Sequence, residues 1–78
     1  MVEVVEDFEA IREQAQYCRL ILYKAEEQDG KTRIRIRAGR LGYDGTFDSV
    51  RAKEIMAWLR VNRAVAITGV VDDPYFFA

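Results

Sequence analysis

The sequence contains no histidine, and this absence excludes several kinds of chemistry. Catalytic triads and dyads that pair serine or cysteine with histidine need an imidazole as the general base. Histidine is also the commonest metal ligand, and the single cysteine, Cys18, cannot complete a zinc site of the usual Cys/His kind within one chain. We therefore predict that the chain is not an enzyme and that it uses no metal or other cofactor.

Cysteine is scarce and long apolar runs are absent. One cysteine permits no internal disulfide, which fits a reducing compartment. No apolar run approaches the roughly 20 residues of a membrane-spanning helix, and the first six residues are acidic where a secretory signal would be basic. The expected location is the cytoplasm, without membrane contact. Cys18 falls on a predicted apolar helix stripe, which favours a packing residue over a reactive thiol.

The length and the charge pattern describe one small domain, 1–78, with separated charges. A chain this short buries only about 60% of the surface that it exposes when unfolded, which leaves no room for a second core. Residues 1–29 carry eight acidic and three basic side chains, whereas residues 30–63 carry three acidic and nine basic ones. With a net charge of −1, this pattern argues against a protein that coats nucleic acid non-specifically, and it allows a local basic surface.

Apolar residues near the N terminus recur at spacings of three and four, which predicts an amphipathic first helix. Asp7 is the expected N-cap of this helix, and acidic neighbours suit the positive end of the helix dipole. The predicted apolar stripe consists of Val4, Phe8, Ile11, Ala15 and Cys18.

A β-hairpin is predicted next, because Asp29-Gly30 favours a two-residue type I′ turn between two alternating segments. Counting back from this turn places Gln28 opposite Lys31 and Lys24 opposite Arg35. A register slip of one residue would mix apolar and charged side chains on both faces, which supports this pairing. The predicted apolar face consists of Ile21, Tyr23, Ala25, Ile34, Ile36 and Ala38.

The remaining elements are a third strand, a second helix and a last strand. We interpret the glycines from Gly39 to Gly45, with Asp44-Gly45 as a turn signal, as a bend before a short strand ending at Phe47. Asp48 and Ser49 should cap a helix over residues 50–61, and the apolar run 64–71 is typical of an interior strand. The helix should bury a stripe of Ala52, Ile55, Met56 and Leu59. The predicted fold is α+β: an antiparallel-rich sheet of three to four strands with two helices, in the order α-β-β-(β)-α-β.

The candidate binding site is the outward face of the hairpin, where three arginines project from one strand at spacings of about 6 to 7 Å. Like charges opposite each other destabilise a sheet, so Lys24 and Arg35 are expected to face an anion. Protein interfaces also combine arginine with apolar area. The expected partner is a host or effector protein with an acidic surface, and nucleic acid is the alternative. The predicted binding residues are Arg33, Arg35, Arg37, Lys24, Leu22 and Leu20.

Other interpretations of these surfaces stay open. Alternating arginines also keep an exposed sheet soluble, and the acidic first helix or a second copy of the chain, in a homodimer, would pair with the same face. The aromatic tail is a secondary candidate interface, with packing in the core or at the sheet edge as the alternative. That tail consists of Tyr75, Phe76 and Phe77.

Two family resemblances rest on a hairpin, then Phe47-Asp48-Ser49, then a helix that bears Ala52 and Trp58-Leu59. Residues 18–61 resemble the arm-type DNA-binding module of phage tyrosine recombinases, which implies DNA binding through the sheet. The acidic leading helix and the last apolar strand depart from that module. The same features are similar to small type I-F anti-CRISPR proteins of phages, which implies an inhibitor that docks on a subunit of the CRISPR surveillance complex.

Overall fold

The computed structural model describes residues 2–67 and 76–77. This part of the chain forms two helices and one mixed sheet of five strands. The elements are β1 (Glu3–Val5), α1 (Phe8–Ala15), β2 (Ile21–Gln28), β3 (Lys31–Ala38), β4 (Leu41–Phe47), α2 (Ser49–Val61) and β5 (Val65–Ala66), and the strands lie in the order β1-β4-β3-β2-β5. The predicted α+β class with two helices is confirmed. The order of elements differs, because a strand precedes the first helix, and the sheet has five strands where three to four were predicted.

The strand β1 replaces part of the predicted first helix. Val4 pairs with Gly42 in a parallel ladder and therefore does not lie on the helix stripe. A strand of three residues is too short to show the period-two pattern that identifies strands in a sequence. The predicted cap is confirmed, since the Asp7 carboxylate accepts a hydrogen bond from the backbone N–H of Glu9 at 3.0 Å. Cys18 lies beyond the end of α1 and packs, partly buried, against the core.

The hairpin of β2 and β3 has the predicted register throughout. Asp29 and Gly30 have φ angles of 51° and 78°, which are the positive values that a type I′ turn requires at both central residues. Gln28 pairs with Lys31, and the ladder continues to Ile21 opposite Ala38. Turn chemistry and side-chain alternation therefore specify the same pairing, which explains why this element was predictable from local sequence.

The third strand is longer than predicted, because Asp44-Gly45 lies within β4 and is not a turn. The chain reverses instead at Gly39, whose φ angle is 61°. Gly45 leaves space for two aromatic side chains, because a Cβ atom there would lie 2.7 Å from the Phe47 ring and 2.8 Å from the Tyr43 hydroxyl oxygen. The glycine that the sequence marked as a turn residue therefore makes space for aromatic side chains inside a strand.

The second helix begins one residue earlier than predicted and ends where expected. Asp48 caps it by accepting a hydrogen bond from the backbone N–H of Arg51 at 2.8 Å. Its buried residues are Ala52, Ile55 and Leu59, and Met56 is partly buried. The two helices pack on the same face of the sheet, over the apolar side chains of the hairpin. The core lies between the helices and this face of the sheet. Its most deeply buried side chains, all essentially inaccessible to solvent, are Ile11, Ile34, Ile36, Ile55 and Leu59.

Among the described residues, the last strand lies at an edge of the sheet, whereas the sequence predicted an interior strand over residues 64–71. The described strand covers only Val65 and Ala66, which pair in parallel with Leu22 and Tyr23 of β2. An apolar run indicates a strand, but the position of that strand in the sheet depends on distant pairing partners. Residues 68–71 and Tyr75 lie outside the described residues. Neither helix of the described part has the length and apolar character needed to cross a bilayer.

Candidate functional site

The face of the sheet opposite the helices, called the outer face below, is built from three rows of cross-strand neighbours. The arginines of β3 lie on this face, because the isoleucines that alternate with them are buried under the helices. The first row crosses all five strands and consists of Val65, Leu22, Arg37, Gly42 and Val4. The second row consists of Lys24, Arg35 and Asp44, and the third of Glu26, Arg33 and Thr46.

Arg33 is neutralised by a carboxylate from the neighbouring strand. Its Nε donates to Asp44 Oδ1 at 3.0 Å and its Nη2 donates to Asp44 Oδ2 at 2.6 Å, a two-pronged pairing that suits the planar guanidinium. These hydrogen bonds raise the pKa of Arg33 above its ordinary value. The sequence did not indicate Asp44 as a partner of Arg33, because the Asp44-Gly45 pair was interpreted as a turn.

Arg35 is a buried ion, whereas the sequence predicted an exposed side chain. It is only 3% exposed, and its Nη2 donates to Glu26 Oε1 at 2.7 Å. Lys24 Nζ lies 3.3 Å from the same carboxylate oxygen. The hydrogen bond from Lys24, together with the charges of Arg35 and its neighbours, holds the pKa of Glu26 below its ordinary value. The two cations predicted to need an external anion therefore share an internal one.

The described part of the aromatic tail, Phe76 and Phe77, covers part of the outer face. The Phe76 ring centroid lies 5.8 Å from the Arg35 guanidinium carbon, within the range of a cation–π contact. Arg37 Nη1 donates to the Phe76 carbonyl oxygen at 3.4 Å. The Phe76 and Phe77 rings meet edge to face at 5.0 Å, and Phe76 is buried. Packing on the sheet is thus the observed role of Phe76, and it explains why Arg35 is shielded from solvent.

Gly42 makes room for this tail. A Cβ atom on Gly42 would lie 2.5 Å from the Phe77 ring and 3.0 Å from Val2. We expect Gly42→Ala to displace the Phe77 ring and to lower the free energy of unfolding by about 1 to 3 kcal/mol, the usual cost of overpacking. Urea denaturation of Gly42→Ala, Phe77→Ala and the double variant tests this. If the Phe77 ring is the obstacle, the double variant loses less free energy of unfolding than the sum of the losses in the two single variants. Additive losses would contradict a clash between the Cβ atom and this ring.

The first row of the outer face, together with Leu20, places apolar side chains around Arg37. Val4 and Val65, at the two ends of the first row, are 51% and 47% exposed, and Leu20, immediately before β2, is 56% exposed. Leu22 and Arg37 lie between them and are partly buried. Sequence analysis included Leu20, Leu22 and Arg37 but missed both valines. No local signal was available for them, since each valine reaches this face through pairing with a distant strand.

Each predicted site residue except Tyr75, which lies outside the described residues, has a definite place. The structure brings the arginines, Lys24 and Leu22 to one face, with Leu20 immediately before β2, and it adds Asp44, Glu26 and Phe76 as internal partners of the cations. Within residues 2–67 and 76–77, no group of three or more His, Cys, Asp or Glu side chains is placed to hold a metal ion. Comparison of the chain with protein-family models, with curated proteins and with solved structures finds no match.

Proposed function

We propose that this chain is a small, non-enzymatic binding protein that inhibits or modulates a partner protein by docking through the outer face. The first row of that face supports this proposal, because exposed Val4 and Val65 flank the partly buried Leu22 and Arg37. Protein interfaces characteristically combine an apolar centre with arginine, which binds carboxylates through a planar fork. The partner would present apolar surface around an acidic group for Arg37.

A protein partner fits this face better than nucleic acid does. Phosphate contacts require cations that are available to an external anion, whereas Arg33 and Arg35 already hydrogen-bond Asp44 and Glu26. Exposed valine and leucine side chains add area that a phosphate backbone would not use. The resemblance to phage anti-CRISPR proteins would place the partner in a CRISPR surveillance complex, in the bacterial cytoplasm.

Introducing charge into the apolar part of the outer face should remove partner binding without unfolding the chain. We expect Leu20→Glu with Val65→Glu to weaken binding at least tenfold, because both side chains are about half exposed, Val65 lies in the first row and Leu20 immediately precedes β2. Partners captured from a bacterial lysate would be identified by mass spectrometry, purified and titrated by calorimetry. Thermal melting of each variant would show that the fold is retained.

The matched control introduces the same two charges on the other side of the molecule. Val50→Glu with Val61→Glu changes two valines of α2 that are 68% and 81% exposed. This control should bind as the parent does. If both double variants retain full affinity for every captured protein, docking through the outer face is wrong.

Nucleic-acid binding is the second candidate function, favoured by the basic side chain of Arg37 in the first row of the outer face. A labelled DNA duplex and a single-stranded RNA would be titrated between 20 and 200 mM salt. Binding through Z phosphates of duplex DNA predicts a slope of about −0.9Z in log affinity against log salt. Micromolar binding that is lost in Arg37→Glu would replace the first proposal with this one.

A further inference from the structure

In the described part of the chain, the two helices leave the β2 end of their face of the sheet largely uncovered. α1 packs on β1, β3 and β4, and α2 packs on β3 and β4. Ala25 of β2 points to the helix side, since it pairs with the buried Ile34, yet it is exposed to solvent. The half of β2 that leads to the hairpin turn therefore presents an open helix-side surface next to α2.

This open surface is a groove of about 590 Å³ between the hairpin and α2. Small and flexible apolar side chains line it, namely Ala25, Ala52, Met56 and Ala57. Alanines on a helix and on a strand allow a neighbouring element to approach closely, because their side chains end at Cβ. The groove therefore has room for another helix or strand to pack beside α2, on the side of the sheet opposite the outer face.

The charges at the groove are asymmetric. Lys53 and Arg60 line its helix side, and because they are seven residues apart, they lie two helical turns or about 10.5 Å apart. Among the described residues, neither side chain has an ion-pair partner. Glu27 lines the strand side, where Glu26 is already engaged by Lys24 and Arg35. The helix side of the groove thus offers two cations with the spacing of a helical repeat.

We propose that this groove binds an acidic amphipathic helix of a partner protein. Such a helix lies beside α2, at the 8 to 10 Å separation that is usual for packed helices. Its apolar face covers the alanines and Met56, and two carboxylates seven residues apart pair with Lys53 and Arg60. The bound helix completes the helix layer over β2, which is a common mode of peptide recognition. This surface is separate from the outer face, so the inference does not rest on the function proposed above.

A designed peptide tests the groove directly. The probe is a fluorescein-labelled helical peptide of 18 residues with leucines along one face and a glutamate pair seven residues apart beside that face. Its comparison peptide carries lysine at those two positions. We expect fluorescence anisotropy at 20 mM salt to show binding of the acidic peptide, with at least tenfold weaker binding of the lysine peptide. Absence of binding by the acidic peptide overturns the proposal.

Protein variants separate docking in the groove from general attraction of charge. The double variant Lys53→Glu, Arg60→Glu should bind the acidic peptide at least tenfold more weakly than the parent. The double variant Arg19→Glu, Arg40→Glu makes the same change in net charge at other exposed positions and should bind the peptide as the parent does. Ala57→Arg adds a cation but fills the groove, so groove docking predicts weaker binding and mere charge attraction predicts stronger binding. Stronger binding of Ala57→Arg, or equal loss in both charge-reversal variants, overturns the proposal. The Leu20→Glu, Val65→Glu variant should bind the peptide normally, which distinguishes this test from that of the outer face.

Discussion

Replacing Ile36 by aspartate is expected to leave the chain unfolded at room temperature. Ile36 is completely buried in the core, between Ile34 and Ala38 on the helix side of β3. Burying a carboxylate without a partner costs several kcal/mol, and the lost apolar packing adds about 2 to 5 kcal/mol. Natural domains are stable by only about 5 to 15 kcal/mol, and one of 78 residues lies near the lower end. Circular dichroism would show loss of the folded spectrum and of a cooperative thermal transition.

Two controls make this result specific to burial. Ile36→Val keeps an apolar side chain and should cost only about 0.5 to 1.5 kcal/mol, with a cooperative transition. Thr46→Asp introduces the same carboxylate at an exposed position of β4 and should change stability by no more than about 0.5 kcal/mol. A cooperative melt of Ile36→Asp at the parent temperature would contradict the placement of β3 over the core.

The second large effect is expected from Arg35→Glu, which should lower the free energy of unfolding by about 3 to 5 kcal/mol. The new carboxylate would lie beside Glu26 and near the ring of Phe76, at a position where Arg35 is only 3% exposed. Its repulsion would replace an ion pair of 2.7 Å between Arg35 and Glu26. If Arg35 were an exposed binding residue, as the sequence suggests, reversal of its charge would change stability by no more than about 0.5 kcal/mol. Urea denaturation of Arg35→Glu and the parent measures this loss of stability and distinguishes a buried ion from an exposed binding residue.

Arg35→Met is the matched variant, because it removes the charge and keeps a long side chain that packs under Phe76. Replacing a buried ion by an apolar residue of similar size costs much less than leaving a buried charge unpaired, and Lys24 still contacts Glu26. Arg37→Glu, at a partly buried position of the same strand, should cost less than Arg35→Glu. Equal stability of Arg35→Glu and the parent, together with lost partner binding, would restore Arg35 as a binding residue.

The elements that could be predicted from the sequence are those determined by neighbouring residues. The hairpin is the clearest case, since the turn at Asp29-Gly30 and the alternation of the flanking strands both specify the observed register. The caps of both helices are equally local, because each aspartate accepts a hydrogen bond from a backbone N–H two or three residues away. These signals alone place the three arginines of β3 on one face of the strand and the two buried isoleucines on the other face.

Only the tertiary structure decided what those arginines do and where the edges of the sheet lie. Parallel pairing joins β1 to β4 and β5 to β2 across long stretches of chain, and no spacing within either short strand encodes its partner. The burial of Arg35 depends on Phe76, which approaches it from the other end of the chain, and the pairing of Arg33 depends on a strand that was interpreted as a turn. Alternation in a sequence determines which side of a strand a side chain occupies. Whether that side faces water, a carboxylate or a ring depends on contacts between residues far apart in the chain.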